Sequence, residues 1–140
     1  MMANNKDAVE GRPRILLVED DVGVRRSIQL LLHAHGYEVR AYALGAALLA
    51  DPTLGDAVAL IADYRMADID GVAILSVLRS RGWNAPAILI TAHLSPQVSR
   101  FADEAGYARI LEKPMREREL TDTLNRLLGN SPGRAGEVNV

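Results

Sequence analysis

The chain has 140 residues, of which 49% are apolar, so it has enough material for one compact core and too little for two ordinary domains. Its 16 basic and 18 acidic residues give a net charge of -2 without a Lys/Arg-rich run, so we expect no direct contact with nucleic acid. The absence of cysteine excludes disulfides and thiolate metal sites. The polar start, Met1 to Pro13, lacks the apolar segment of a signal peptide, and no apolar stretch approaches the roughly 20 residues that span a bilayer. A soluble, cytoplasmic protein without membrane contacts is therefore expected.

The first third of the chain predicts a strand, a helix, a second strand and a short helix. Ile15 to Val18 is a continuous apolar run, as in a buried strand. The helix after it is predicted by apolar residues at helical spacing and a closing glycine: Val24, Ile28, Leu31, Leu32 and Gly36. Tyr37 to Tyr42 predicts a strand near a sheet edge, because polar and apolar residues alternate there. Leu44 to Ala50 predicts a short helix that ends at Asp51-Pro52.

The middle of the chain repeats the pattern. Ala57 to Ala62 is a continuous apolar run and predicts the third strand. A loop through Gly71 then leads into a helix whose apolar face is formed by Ile74, Leu75 and Leu78. Ala87 to Ile90 predicts the fourth strand.

The last third adds two helices and a strand. Ser95 and Pro96 form an N-cap and first-turn pair. The helix that they begin is marked by residues at helical offsets and a glycine stop: Val98, Phe101, Ala102, Ala105 and Gly106. Tyr107 to Leu111 predicts the fifth strand. The final helix, about Arg116 to Leu128, is predicted to bury four leucines before Gly129 ends it: Leu120, Leu124, Leu127 and Leu128.

Five β-α units in strict alternation predict an α/β fold, a doubly wound parallel sheet with helices on both faces. The natural strand order is the flavodoxin-like 2-1-3-4-5 in a single domain. We expect residues 1–13 to form a flexible N-terminal extension, 14–129 the folded domain, and 130–140 a flexible tail or the start of a linker.

Acidic residues directly follow two of the predicted strands. Glu19, Asp20 and Asp21 follow the first strand, and Asp63 follows the third. Neighbouring parallel strands end at the same edge of the sheet, where such folds bind ligands, so these acids are expected to converge. Without a cation they would repel and raise one another's pKa values. The sequence therefore predicts a metal site.

Four motifs in chain order resemble the receiver domain of bacterial two-component response regulators. They are Val18-Glu19-Asp20-Asp21, the stretch from Asp63 to Gly71 (DYRMADIDG), Thr91-Ala92 and Glu112-Lys113-Pro114. The resemblance covers Arg14 to Gly129. It implies a signalling domain rather than an enzyme, in which a histidine kinase phosphorylates an aspartate after the third strand.

The resemblance assigns a role to each matched position. Asp63 is the implied phosphoacceptor. Magnesium would be held by Asp20, Asp63 and the backbone carbonyl of Arg65, with Glu19 acting largely through water. Lys113, Thr91 and the Ala92 N-H would contact the phosphoryl oxygens.

Some of these residues also have simpler interpretations. Asp21 is expected to cap the first helix, since the resemblance puts the metal roles on Glu19 and Asp20. His33 and His35 lie two apart on a helix and point to different faces, so no histidine metal site is expected. Arg65 and His93 stand where side chains of the family line the approach of water to the acyl phosphate and set its lifetime; the alternative is that both simply face solvent.

The chain departs from the family pattern at two positions. Ala67 stands where proline is usual, so the loop after Asp63 is expected to be less rigid. Ile110 stands where the family carries an aromatic residue that reports phosphorylation, and Tyr107 is expected on the opposite face of the strand from Ile110. The hypothesis that follows is that output runs through Thr91, the next loop and the fourth helix, with Ile110 as a packing residue.

The sequence is compatible with several functions. The favoured one is a phosphorylatable switch that binds an unknown downstream protein or relays phosphate, with a sensor histidine kinase or histidine phosphotransfer protein as its donor. A homodimer through the face of the fourth helix, fifth strand and fifth helix is a further pairing that the resemblance allows. The alternatives are a receiver piece of a larger transcriptional regulator or hybrid kinase, a receiver-shaped module that never accepts phosphate, and a magnesium-dependent phosphatase. The last is disfavoured because such enzymes need an aspartate two residues after the nucleophile, where this chain has Arg65.

Overall fold

A computed structural model describes residues 11–129 of the chain. Most of the predicted N-terminal extension and the whole predicted tail, 130–140, lie outside the described residues. Residues 11–129 contain five strands: β1 (Arg14–Val18), β2 (Glu38–Tyr42), β3 (Ala59–Asp63), β4 (Ala87–Thr91) and β5 (Arg109–Glu112). Five helices in the same part of the chain alternate with them: α1 (Val22–Ala34), α2 (Gly45–Ala50), α3 (Gly71–Ser80), α4 (Pro96–Ala105) and α5 (Glu117–Leu127).

The strands form one parallel sheet in the order β2-β1-β3-β4-β5, as the sequence predicts. Side chains alternate between its two faces, so each strand contributes to two apolar clusters. One cluster lies against α2, α3 and α4 and contains Leu16, Leu60 and Leu89. The other lies against α1 and α5 and contains Leu17, Ile61 and Ile88. This two-layer burial explains why β1, β3 and β4 are almost continuously apolar.

The helix ends follow local chemistry. The Asp21 carboxylate accepts the Val24 N-H at 2.9 Å and caps α1. Ser95 caps α4 through the Val98 N-H at 3.1 Å, with Pro96 at the first helical position. Gly106 follows α4 with φ 107°, a left-handed conformation that suits glycine. These caps are the ones that the sequence predicts.

Two strands begin two residues later than predicted. The third strand begins at Ala59 and not at Ala57, because the Ala57 N-H donates to the Leu54 carbonyl in a turn. The fifth begins at Arg109 and not at Tyr107, because the Tyr107 N-H donates to the Ala102 carbonyl at the end of α4. In both places two apolar residues precede the first residue of the strand.

Fewer apolar residues of the helices are buried than their spacing in the sequence predicts. Leu120 and Leu124 are fully buried under α5, whereas Leu127 and Leu128 are only partly buried. Phe101, at a helical offset on α4, is 38% exposed. None of the helices described in 11–129 is long and apolar enough to cross a membrane.

Candidate functional site

Glu19 is held rigidly at the carboxyl end of β1. The Glu19 N-H donates to the Tyr42 carbonyl at 3.0 Å, and the Arg25 guanidinium donates to the Glu19 carbonyl at 2.9 Å. Its side chain is nearly fully buried, and one carboxylate oxygen accepts the Asp21 N-H at 3.1 Å. The second oxygen faces Lys113. Glu19 therefore presents a fixed carboxylate to the crevice at the end of the sheet.

Asp63 is the last residue of β3 and is 8% exposed. The chain beyond it stays close to the sheet, since the Tyr64 N-H donates to the Ile90 carbonyl at 2.8 Å. The loop then returns so closely at Gly71 that a Cβ there would lie 2.6 Å from the Asp63 carbonyl oxygen. Only glycine fits this approach. The Asp63 backbone is therefore fixed from both sides.

The acids of the two strands meet, as the sequence predicts. Glu19, Asp20 and Asp63 each offer a carboxylate oxygen within 4.8 Å of the others. Asp20 is exposed, whereas Glu19 and Asp63 are buried. Oxygen-only donors suit a hard divalent cation such as Mg²⁺, which usually keeps several waters and needs only one or two carboxylates. The donor set therefore fits magnesium.

Lys113 lies between the two buried acids. Its Nζ donates to Asp63 Oδ2 and to Glu19 Oε1, each at 3.0 Å. Burial raises the pKa of Glu19, and the nearby Asp63 charge adds to the rise although the hydrogen bonds from Asp21 and Lys113 oppose it. Partial burial alone would lower the pKa of Lys113, but its hydrogen bonds to the two carboxylates raise it above the ordinary value. Lys113 is therefore charged and shared by both acids.

Thr91 and Ala92 lie at the end of β4, beside the acids. The Thr91 hydroxyl is buried and accepts the His93 N-H at 3.2 Å, which leaves its O-H to donate elsewhere. The Thr91 carbonyl accepts the Lys113 N-H at 2.8 Å, so β4 and the lysine are fixed to each other. Ala92 is exposed and lines a cleft of about 770 Å³ together with Lys113.

Arg65 and His93 are both exposed, so the position of each is compatible with either sequence interpretation. Their effect on phosphoryl lifetime stays a prediction.

The expectation that Tyr107 and Ile110 lie on opposite faces is wrong. Tyr107 is buried in the cluster against α2, α3 and α4, and Ile110 packs partly buried against the same cluster. Strand alternation does not apply between them, because Tyr107 precedes β5 and lies in the turn after α4. Both residues also line one shallow depression beside α4.

Sequence reasoning missed the role of Asp68. Its carboxylate accepts the N-H groups of Gly45 and Ala46, at 3.0 and 2.9 Å, and so caps α2 from the loop that follows Asp63. These bonds hold the pKa of Asp68 below its ordinary value. The sequence shows only that Leu44, which precedes α2, has no side-chain group to cap it; it does not indicate that Asp68 supplies the cap. The loop that contains Ala67 is therefore held in place by its hydrogen bonds to the start of α2.

A second missed cluster stabilises the end of α2. The Asp51 carboxylate accepts hydrogen bonds from the Tyr42 and Thr53 hydroxyls, from the Thr53 N-H and from Arg40. These donors, the Tyr42 hydroxyl first, hold the pKa of Asp51 well below its ordinary value. Burial and the neighbouring carboxylate raise the pKa of Tyr42.

Comparison with known proteins identifies the family that this arrangement resembles. The sequence model of the response regulator receiver domain matches residues 15–125. The C4-dicarboxylate transport transcriptional regulatory protein DctR of Rhodobacter capsulatus is 31% identical over 124 residues, which cover 87% of this chain and 63% of that protein. The transcriptional regulatory protein FixJ of Rhizobium meliloti is 32% identical over 111 residues, covering 79% of this chain and 54% of that protein.

Solved structures agree with the fold. The chemotaxis protein CheY4 of Vibrio cholerae superposes with a TM-score of 0.79 at 26% identity, covering 84% of this chain and 99% of that one. A CheY-like receiver domain protein from Methanospirillum hungatei superposes with a TM-score of 0.78 at 26% identity, covering 84% of this chain and 94% of that one. The chain thus spans nearly all of these receiver structures but only 63% of DctR and 54% of FixJ.

Proposed function

The chain belongs to the response regulator receiver domain family of two-component signalling, and we propose that Asp63 is its phosphoacceptor. The observation that carries the proposal is the position of Asp63, buried at the end of β3 with Lys113 at 3.0 Å and two further acids beside it. A histidine kinase or a histidine phosphotransfer protein would donate the phosphoryl group. An Asp63 carboxylate oxygen attacks phosphorus, the bond to the donor nitrogen breaks, and an aspartyl phosphate results.

We further propose that the acids hold Mg²⁺. Asp20, Asp63 and the backbone carbonyl of Arg65 would ligate the ion directly, and Glu19 largely through water. When bound, Mg²⁺ neutralises charge on the oxygens of the transferring phosphoryl group. Asp20 is suited to entry of the ion because it is the exposed member of the cluster.

The remaining residues of the crevice would hold the phosphoryl group. Lys113, freed from Asp63 Oδ2, would pair with one phosphoryl oxygen while keeping Glu19 as a partner. The Thr91 hydroxyl, which has a hydrogen to donate, would bind a second oxygen. The Ala92 N-H would contact a third. Arg65 and His93, both exposed at the rim, would set how readily water reaches the acyl phosphate.

Output is proposed to pass from Thr91 through the following loop to α4. Ile110 would serve as a packing residue, and a downstream protein would read the change. A homodimer through α4, β5 and α5 is a further proposed pairing. The cytoplasmic location and the absence of nucleic-acid contacts by this chain stay predictions.

The second candidate function is that of the receiver part of a larger transcriptional regulator. The partial coverage of DctR and FixJ, both named as transcriptional regulatory proteins, favours it. The site chemistry would be the same in either case. A phosphatase is not favoured, because the exposed Arg65 occupies the position where such an enzyme needs an acid.

Incubation with Mg²⁺ and acetyl phosphate, followed by intact mass spectrometry, tests the proposal. We expect a gain of one phosphoryl group that hydroxylamine removes and EDTA prevents. Asp63→Asn is the control and should gain nothing. If native protein gains no phosphoryl group from acetyl phosphate or from other small donors, the proposal fails and the chain is a receiver-shaped module without phosphoacceptor activity.

A further inference from the structure

Tyr107 connects the turn after α4 to the start of α3. Its hydroxyl donates to the Gly71 carbonyl at 2.6 Å across 36 residues of chain, and the contact is buried. The ring is 7% exposed and packs in the cluster against α2, α3 and α4. Burial raises the pKa of Tyr107, so the hydroxyl keeps its proton and remains a donor.

Gly71, the acceptor of this bond, lies directly against the Asp63 loop. Its N-H donates to the Tyr64 carbonyl at 2.9 Å, which closes the loop. Its Cα faces the Asp63 carbonyl so closely that no side chain fits between them. A displacement of Gly71 would therefore be felt at the backbone of Asp63 and Tyr64, one residue before the proposed carbonyl ligand of Arg65.

The other end of the link is anchored independently. The Tyr107 N-H donates to the Ala102 carbonyl at 3.0 Å, which attaches it to the last turn of α4. Arg79, in the last turn of α3, donates to the neighbouring Gly106 carbonyl at 3.3 Å and to the Trp83 carbonyl at 2.9 Å. The turn that carries Tyr107 is thus tied to both ends of α3, and the tyrosine hydroxyl holds the end nearer the site.

We propose that Tyr107 is a positioning residue for phosphoryl transfer: its hydroxyl holds the Gly71 carbonyl and thereby fixes the loop that carries Asp63 and the Arg65 carbonyl. The inference rests on the proposed function of Asp63. The Tyr107 hydrogen bond would be a second contact that holds this loop, in addition to that of Asp68. Such contacts matter here because the loop has Ala67 in place of a rigid proline. The tyrosine acts through Gly71 and does not touch the reacting atoms.

Tyr107→Phe is the variant that tests this role, because it removes one hydroxyl and keeps the ring. Tyr37→Phe is the matched control. Tyr37 is also buried, in the cluster against α1 and α5, and its hydroxyl donates to Asn125. It lies just before β2 begins, whereas the acids lie at the carboxyl ends of the strands. Each variant loses a hydrogen bond donated by the tyrosine hydroxyl, which is buried for Tyr107 and part-buried for Tyr37. Only the Tyr107 bond leads to the Asp63 loop.

The measurement is the rate of phosphorylation by acetyl phosphate at saturating Mg²⁺, together with the Mg²⁺ concentration at half-maximal rate. Urea unfolding confirms that each variant is folded at the assay temperature. We expect Tyr107→Phe to be phosphorylated about 3- to 10-fold more slowly than native protein, the scale of one buried hydrogen bond, with Tyr37→Phe unchanged. A Tyr107→Phe rate equal to native, or a fall matched by Tyr37→Phe, overturns this inference alone. No phosphorylation of native protein overturns the proposed function and this inference together.

Discussion

Lys113 Nζ lies 3.0 Å from Asp63 Oδ2 and occupies the space between that carboxylate and Glu19. One ammonium group thus compensates two acids whose side chains are 10% and 1% exposed. Removing one partner from such a group leaves buried charge without compensation, which is costly. The lysine and the proposed Mg²⁺ ion would therefore neutralise the same negative site.

Replacing Lys113 with alanine should tighten Mg²⁺ binding, because the acids lose a competing positive charge. We expect the dissociation constant to fall by about tenfold, the scale of one nearby charge. Isothermal titration calorimetry with Mg²⁺ measures it. Lys113→Arg keeps the charge and should bind Mg²⁺ much as native protein does. Weaker binding by Lys113→Ala would show that the lysine orients the acids rather than competing with the ion.

Substitutions at the adjacent residues Asp20 and Asp21 should have different effects, one on Mg²⁺ binding and the other on stability. Asp21 caps α1 through the Val24 N-H, so Asp21→Ala should lower the free energy of unfolding by about 1 kcal/mol and leave Mg²⁺ binding nearly intact. Asp20→Asn should weaken Mg²⁺ binding by roughly tenfold or more, with little change in stability. Urea unfolding and calorimetry on both variants provide the comparison. The reverse assignment of effects would refute the division of roles.

The contribution of Asp51 to the free energy of unfolding should decrease at acid pH. Its folded-state pKa lies below the ordinary value of 3.8, so unfolding in acid takes up a proton. The stabilisation is complete above the unfolded pKa and is lost as the pH falls through the folded value. Asp51→Asn should therefore unfold at lower urea than native protein at pH 7, and the difference should shrink below about pH 4. A difference that is the same at pH 7 and pH 3 would contradict a charge-based role.

Phosphorylation should alter α4 through Thr91 and not through Ile110. With beryllofluoride as the phosphoryl mimic, we expect amide hydrogen exchange in α4 and the loop before it to change in native protein and in Ile110→Ala. Thr91→Val, which keeps the shape and lacks the hydroxyl, should bind the mimic without this change. An α4 that exchanges identically with and without the mimic in native protein would rule out the pathway.

The order of elements, the sheet order and three helix caps follow from local patterns in the sequence. Apolar runs such as Ile15 to Val18 are bounded by residues that end strands, and Asp21, Ser95 and Gly106 act on groups within a few residues of themselves. Convergence of Glu19, Asp20 and Asp63 followed because parallel neighbouring strands end together. Local chemistry and one topological rule were therefore sufficient for these features.

The features that sequence did not reveal depend on distant partners. Tyr107 looks like a strand residue by composition, but its backbone completes α4 and its hydroxyl reaches Gly71. Asp68 caps a helix that begins 23 residues earlier in the chain. Such contacts are set by how helices pack on the sheet, which spacing along the chain does not encode.

Locating the phosphoryl group on the chain tests most directly whether Asp63 is the phosphoacceptor. Protein incubated with Mg²⁺ and acetyl phosphate would be reduced with borohydride, which converts an aspartyl phosphate to homoserine, and the peptides would be sequenced by tandem mass spectrometry. We expect homoserine at position 63 and at no other aspartate, with none in the sample that contains EDTA. Modification at Asp20, Asp21 or any other position in place of Asp63 would contradict this assignment.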